Sequence, residues 1–160
     1  MKHRLLFALM LSVPAVSAWS AEELSAKKTP SIYQTQLDNG LQIIVKEDHR
    51  APVLTSQIWY KIGASDEPEG ITGVSHMLEH MMFKGTKNLA PGEFSKRVAK
   101  VGATENAFTS QDYTAYFQTV EKSHLKTMLS LEAERMGSLK LLDEELQKER
   151  QVVIEERRMR

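Results

Sequence analysis

Two histidines and a glutamate lie within one helical turn near the middle of the 160-residue sequence. His76 and His80 have the spacing i, i+4, and Glu79 lies between them. Because residues four apart share one face of an α-helix, both imidazoles can bind one metal ion from the same side. Histidine and carboxylate ligands suit zinc, and the chain has no cysteine. Spacing alone also fits a solvated polar helix face.

A third ligand has to come from another part of the chain. Glu149 and Glu156 share one face of a predicted helix with Leu146 and Val153. A carboxylate within an apolar stripe is half-buried and requires a partner, which a metal ion would provide. The same residues fit an ordinary charged surface helix, so the spacing leaves both interpretations open.

The residues around these side chains resemble a known family. His76-Met77-Leu78-Glu79-His80 is the inverted zinc motif H-x-x-E-H. Similar blocks precede it at residues 63–73 and follow it at residues 81–86, 106–116 and 149–156. The sequence therefore resembles the pitrilysin/insulysin family of zinc peptidases, which includes mitochondrial processing peptidase and bacterial periplasmic proteases, over most of residues 31–160.

The resemblance implies a role for each matching residue. It implies that His76, His80 and Glu156 bind one Zn²⁺ per chain, and that Glu79 is the catalytic base that activates a zinc-bound water. Glu149 matches a family glutamate that supports the site without binding the metal. The implied activity is that of a zinc-dependent metalloendopeptidase acting on extended peptides or unfolded protein segments. The alternative is a non-catalytic zinc-binding or partner subunit of a two-part peptidase.

The resemblance also implies a substrate-binding edge strand. Asn106, Ala107 and Phe108 match the strand on which family members lay an extended peptide, where main-chain hydrogen bonds leave the peptide's sequence largely unread. Glu105 departs from the family, in which smaller residues are more usual at this position. It either alters substrate preference or is an exposed loop acid.

Hydrophobic periodicity predicts the elements that position these residues. Alternation on both sides of Asn39-Gly40 predicts a type I′ hairpin, and further strands are predicted at residues 54–62 and 113–121. Helices are predicted at 72–83 and 92–101, from Ser123 and from Asp143, whereas 102–109 is less regular. The helix after Ser123 is expected to bury one stripe of residues: Leu125, Met128, Leu129 and Met136.

This order of elements predicts an α+β fold. The tight antiparallel turn argues against a fully parallel sheet. We therefore expect a mixed, largely antiparallel sheet with helices packed on one face. The resemblance identifies this arrangement as a truncated form of the metallohydrolase fold of mitochondrial processing peptidase.

The first twenty residues have the features of a secretory signal peptide. A basic start precedes an apolar run of about a dozen residues, which is too short for a membrane span. We expect cleavage after Ala18, Ser20 or Ala21, which would leave a flexible lead-in at 21–30 and no membrane span. The alternative is that the segment stays uncleaved as a membrane anchor. The predicted location is the periplasm of a Gram-negative bacterium, with secretion as the second choice.

Composition and chain length limit the partners. Equal numbers of basic and acidic residues, 21 of each, argue against nucleic-acid binding. Residues 31–160 are predicted to form an N-terminal catalytic peptidase domain, incomplete at its C-terminal end because the sequence stops inside a charged helix. We therefore expect a C-terminal half or a homologous partner subunit to close the site around its peptide substrate.

Overall fold

The computed structural model describes residues 31–159, so the predicted signal peptide (1–20) and lead-in (21–30) lie outside the described residues. Within the described residues the chain divides into two units, with the boundary in the sequence between Asp48 and His49. The described part of the first unit is an antiparallel hairpin of β1 (Ile32–Gln36) and β2 (Gln42–Lys46).

The hairpin turn differs from the predicted type I′ turn. The N–H of Gly40 donates to the carbonyl of Leu37 at 2.9 Å, and Gly40 has φ +87°. Asn39 does not have a positive φ, although type I′ requires one at both central residues. The Asn39 side chain accepts from the N–H of Leu41 at 3.1 Å, and this local bond favours a three-residue loop in which a left-handed glycine follows the turn.

The second unit contains a three-stranded antiparallel sheet. Its strands are β3 (Val53–Tyr60), β4 (Thr104–Thr109) and β5 (Thr114–Glu121), in the order β3-β5-β4. Periodicity did not predict β4, because its sequence, TENAFT, lacks an alternating apolar pattern. Pairing with β5, which is more buried, stabilises the strand conformation that the local sequence of β4 does not specify.

Four helices accompany this sheet within residues 31–159. They are α1 (Val74–Met81), α2 (Glu93–Lys100), α3 (Leu125–Ser138) and α4 (Asp143–Met159). Short 3₁₀ turns precede α1 and α3, at Ala64–Asp66 and Lys122–His124. Ser123 therefore lies in a 3₁₀ turn, where its N–H donates to the carboxylate of Glu121 at 3.0 Å, and does not cap α3 as predicted. No helix in the described part of the chain combines the length and hydropathy needed to cross a bilayer.

The core lies between the sheet and two of the helices. Leu54 of β3 pairs in register with Val120 of β5, and both pack against residues of α2 and α3. The buried members of this core are Leu89, Phe94, Val98, Val120, Met128 and Leu131. Trp59 and Phe108 lie in one register row of the opposite face and remain partly exposed. The expected α+β fold is confirmed.

The buried stripe of α3 differs from the predicted one. Met128 is buried as expected, but Leu125, Leu129 and Met136 remain largely exposed. The helix instead buries a charged pair, Glu132 and Arg135. The Arg135 guanidinium lies 4.3–5.1 Å from the centres of three aromatic rings, those of Phe83, Phe94 and Tyr116. The contacts of Arg135 with these rings and with Glu132 determine which face of α3 is buried.

Candidate metal centre

The first turn of α1 is held by a carboxylate from the preceding loop. Glu67 accepts hydrogen bonds from the N–H of Gly73 at 2.7 Å and of Ser75 at 2.8 Å. The first N–H groups of a helix have no partner within it, so these bonds satisfy them. The bonds from Ser75 and Gly73 hold the pKa of Glu67 below its ordinary value. The start of the helix that carries both histidines is thereby fixed.

Three side chains converge beside α1. The Nε2 atoms of His76 and His80 are 3.3 Å apart. Oε2 of Glu156, on α4, lies 3.5 Å from Nε2 of His76 and 3.6 Å from Nε2 of His80. Zinc bonds of about 2.0–2.1 Å in tetrahedral geometry place ligand atoms about 3.3–3.4 Å apart. The three donors therefore fit a tetrahedral zinc ion, and no other such group occurs within residues 31–159.

A buried carboxylate lies behind His80. Oε2 of Glu149 is 3.0 Å from Nδ1 of His80, and Oε1 of Glu149 is 2.5 Å from Nζ of Lys84. Burial raises the pKa of the Glu149 carboxyl, but the hydrogen bonds from Lys84 and His80 outweigh burial and hold that pKa below its ordinary value. A carboxylate at Nδ1 favours the tautomer whose Nε2 lone pair is available to a metal ion.

Glu79 is bonded to the end of a strand of the sheet. The hydroxyl of Thr109, the last residue of β4, donates to Oε2 of Glu79 at 2.5 Å. This bond ties the half-buried carboxylate to the end of β4. Glu79 lies on the same helix as both histidines but is not one of the three donors.

The predicted substrate residues lie together in β4. Within the described residues β4 pairs only with β5, so its other edge is open. The N–H of Ala107 donates to Oδ1 of Asn106 at 2.9 Å, a bond inside the strand itself. The Phe108 side chain packs against Trp59 and Tyr113, with ring centres 5.9 and 6.0 Å away. These contacts place the Phe108 side chain in an aromatic cluster on one face of the sheet.

Glu105 is not an exposed loop acid. It lies in β4 directly opposite the buried Gln118 and is itself half-buried. Its Oε2 atom is buried and has no hydrogen-bond partner among residues 31–159. This alternative from the sequence was wrong because periodicity did not predict the strand that turns Glu105 inward.

Two residues of the site were not identified from the sequence. Lys84 follows His80 by four positions, so its spacing could have placed it on the same helical face. Thr109 gives no comparable signal, because its bond to Glu79 joins positions 30 residues apart.

Comparison with known proteins relates this site to a family. Residues 42–159 match the family described as Insulinase (Peptidase family M16). The chain is 46% identical over 132 residues to the zinc protease PqqE of Helicobacter pylori, which covers 82% of this chain. It is 31% identical over 147 residues to mitochondrial cytochrome b-c1 complex subunit 1 of Rattus norvegicus, which covers 92% of this chain. The chain spans 30% of the length of each relative.

The fold agrees with the sequence match. The crystal structure of pitrilysin matches with a TM-score of 0.76 and 26% identity, over 84% of this chain and 14% of that one. The family match extends over most of the chain and includes both helices that carry the converging histidine and glutamate side chains. The chain therefore belongs to the insulinase family of peptidases, peptidase family M16.

Proposed function

We propose that this protein provides the zinc-binding catalytic domain of a metalloendopeptidase that cleaves extended peptides or unfolded protein segments. The observation that carries the proposal is the convergence of His76 Nε2, His80 Nε2 and Glu156 Oε2 at separations of 3.3–3.6 Å. Glu79 directly precedes His80 on the same helix. The similarity to a protein named as a zinc protease supports the choice of metal.

The number of donors favours catalysis over a structural metal site. Structural zinc sites use four protein ligands, whereas catalytic sites use three and keep one position open. His76, His80 and Glu156 provide three donors, and no fourth belongs to the group within residues 31–159. A zinc ion bound there supplies Lewis-acid polarisation of the peptide carbonyl and of the attacking water.

Glu79 is the proposed proton carrier. Its carboxylate takes a proton from the attacking water and later delivers it to the leaving amine. The Thr109 hydroxyl, 2.5 Å from Oε2 of Glu79, holds the carboxylate in place during both transfers. Because Thr109 ends β4, this bond also connects the proton carrier to the strand proposed to hold the substrate.

The open edge of β4 is the proposed substrate platform. A peptide that adds as a strand would use main-chain bonds along Asn106, Ala107 and Phe108. The N–H of Ala107 is already bonded to Oδ1 of Asn106, so a peptide that uses this donor must displace the Asn106 carboxamide. Main-chain pairing explains a preference for extended segments over folded ones.

Two substitutions test the metal site and the base separately. Glu79→Gln keeps all three donors, so zinc should bind at full stoichiometry while hydrolysis falls by at least about a hundredfold, the usual lower range for general base catalysis. His80→Ala removes a donor and should lose both zinc and hydrolysis. The measurements are zinc content after gel filtration and chelator-sensitive cleavage of an unstructured peptide by the protein at its natural length.

The control is His124→Ala, since His124 lies outside the donor group. It should retain zinc and activity. Full zinc stoichiometry in His80→Ala would refute the ligand assignment, and unchanged turnover in Glu79→Gln would refute the role of Glu79.

The similarity to cytochrome b-c1 complex subunit 1 favours one alternative, a non-catalytic or partner subunit. The complete set of three donors with Glu79 beside them argues for a working site. Stoichiometric zinc binding without chelator-sensitive cleavage would support the alternative.

We also propose that a further segment of chain closes the site. We propose as well that the protein is exported from the cytoplasm. The chain spans 30% of its relatives' length, and we propose that a C-terminal half or a homologous partner subunit covers the donor group. The charge and apolar pattern of residues 1–20 supports export to the periplasm. Mass spectrometry of the natural protein should give a length well beyond 160 residues and a new N-terminus after Ala18, Ser20 or Ala21.

A further inference from the structure

We propose that Lys84 is a positioning residue of the metal site. It holds the Glu149 carboxylate in the orientation that keeps Nε2 of His80 available to the metal. This inference rests on the proposed function only in assuming that the three donors bind zinc.

The geometry gives each oxygen of Glu149 one partner. Oε1 is 2.5 Å from Nζ of Lys84, and Oε2 is 3.0 Å from Nδ1 of His80. With both oxygens engaged, the carboxylate cannot rotate without breaking one bond. Lys84 therefore determines which way Glu149 faces, although its own ammonium group contacts none of the three donors in the bonds described.

Because the Glu149 carboxylate is buried, it needs the ammonium group of Lys84 as a partner. The Glu149 side chain is only 10% exposed and that of Lys84 27%. A buried carboxylate without a cationic partner is unfavourable, so it turns toward water. That rotation removes the acceptor from Nδ1 of His80, and the imidazole can then carry its proton on Nε2 instead. A protonated Nε2 cannot bind a metal ion.

The pair also joins the two helices that carry the donors. Lys84 lies just beyond the end of α1, which carries His76 and His80. Glu149 lies two turns before Glu156 on α4. The Lys84–Glu149 pair therefore helps to hold Glu156 within reach of both imidazoles. Loss of the pair should weaken metal binding through both effects.

The test measures zinc affinity by competition with a chromophoric chelator. Lys84→Met keeps the length of the aliphatic side chain but removes the charge, and we expect about tenfold weaker zinc binding, the lower end for partners of metal ligands. Lys84→Arg restores the cation and should recover affinity to within about threefold of wild type. Lys87→Met, an exposed lysine on the same loop, is the matched control and should bind zinc like wild type.

Two further readouts separate positioning from a merely structural role. In a Glu149→Gln background, Lys84→Met should cause no additional loss of affinity, because its partner charge is absent. In the metal-free protein, ¹⁵N NMR of the His80 ring should show protonated Nδ1 in wild type and Lys84→Arg, and a larger fraction of protonated Nε2 in Lys84→Met. A purely structural lysine would change unfolding but neither of these readouts.

The outcomes are distinct. Wild-type affinity in folded Lys84→Met, or an equal loss with and without Glu149, would overturn the inference while leaving the proposed function intact. Failure of the wild-type protein to bind zinc would overturn the proposed function and this inference with it.

Discussion

The guanidinium of Arg135 shows how single residues determine this structure. Its side chain has no solvent exposure and bonds to the buried Glu132. Glu132 also accepts a hydrogen bond from the side-chain amide of Gln118. A buried ion pair costs desolvation energy, so the pair stabilises the fold only while both partners remain.

Removal of one partner should therefore be severe. Arg135→Met leaves Glu132 buried without a cation, and we expect the free energy of unfolding to fall by about 3–5 kcal/mol. The double variant Glu132→Leu/Arg135→Met should recover a large part of that loss. Urea denaturation gives the comparison, with Arg158→Met on the exposed end of α4 as a control whose midpoint stays unchanged. A double variant less stable than Arg135→Met would contradict the argument.

Residues of the candidate site divide into those that the sequence could identify and those that it could not. The H-x-x-E-H spacing and the family resemblance identified all three converging donors, together with Glu79 and Glu149. The spacing of Lys84 from His80 gave a signal, but the contacts of Lys84 with Glu149 and of Thr109 with Glu79 emerged only from the folded chain, because they join distant positions. The burial of Arg135 could not be predicted for the same reason. Two of the three aromatic rings that surround its guanidinium lie more than 40 residues before it. The roles of all these residues stay predictions.

Among the elements, α1 is positioned by the loop before it. The N–H of Ala64 donates to the carbonyl of Ser110 at 3.0 Å, and the Ser75 hydroxyl donates to the carbonyl of Gly63 at 3.2 Å. A Cβ on Gly63 would lie 2.5 Å from the carbonyl oxygens of Ser110 and Gln111, so only glycine fits there. The loop therefore connects α1 to the turn between β4 and β5.

The carboxylate of Glu67 should give this attachment a pH dependence. Its pKa is lowered in the folded protein by the bonds from Ser75 and Gly73. The stabilisation it provides is therefore present above the ordinary carboxyl pKa of 4.5 and is lost as the pH falls through the lower folded pKa.

Glu67→Gln should reduce the free energy of unfolding by about 1 kcal/mol at pH 7, the usual cost of removing a cap. The difference from wild type should shrink as the pH falls below 4.5. Urea midpoints of both proteins across pH 3–7 provide the measurement, with Glu69→Gln in the same loop as the control. A difference that persists unchanged at the lowest pH would refute this account of Glu67.

The elements that were predicted correctly are those whose own sequence has a clear hydrophobic pattern. The helices had clear periodicity, and the starts of all four were predicted to within two residues. The six residues of β4 are polar or small at most positions, so their strand conformation depends on pairing with β5. The hairpin was predicted correctly, but the predicted type I′ turn was wrong. The same residues also fit a three-residue loop, which the side-chain bond of Asn39 favours.

For the whole molecule, metal binding and folding should be coupled. The donors come from α1 and α4, which are separated by most of the sheet in the sequence. An ion that binds all three stabilises the folded chain by mass action, by about 2.7 kcal/mol when free zinc is a hundred times the dissociation constant.

Chelation should therefore lower the thermal midpoint of the wild-type protein, and added zinc should restore it. His80→Ala, which lacks a donor, should show the same midpoint with and without zinc. Differential scanning calorimetry in zinc buffers provides the measurement. A wild-type midpoint that does not depend on free zinc would show that the three side chains do not bind the ion in the folded state.

The inward-facing Glu105 has a consequence for how copies of this protein meet one another. An edge strand that stays open for a peptide is equally open to strands of neighbouring molecules, which is how aggregates begin. Glu105 points a half-buried carboxylate inward from β4, and one of its oxygens has no hydrogen-bond partner among residues 31–159. Permanent edge-to-edge stacking would seal this charge away from water at a high energetic cost. We therefore expect the strand proposed to hold a peptide to resist lasting self-association.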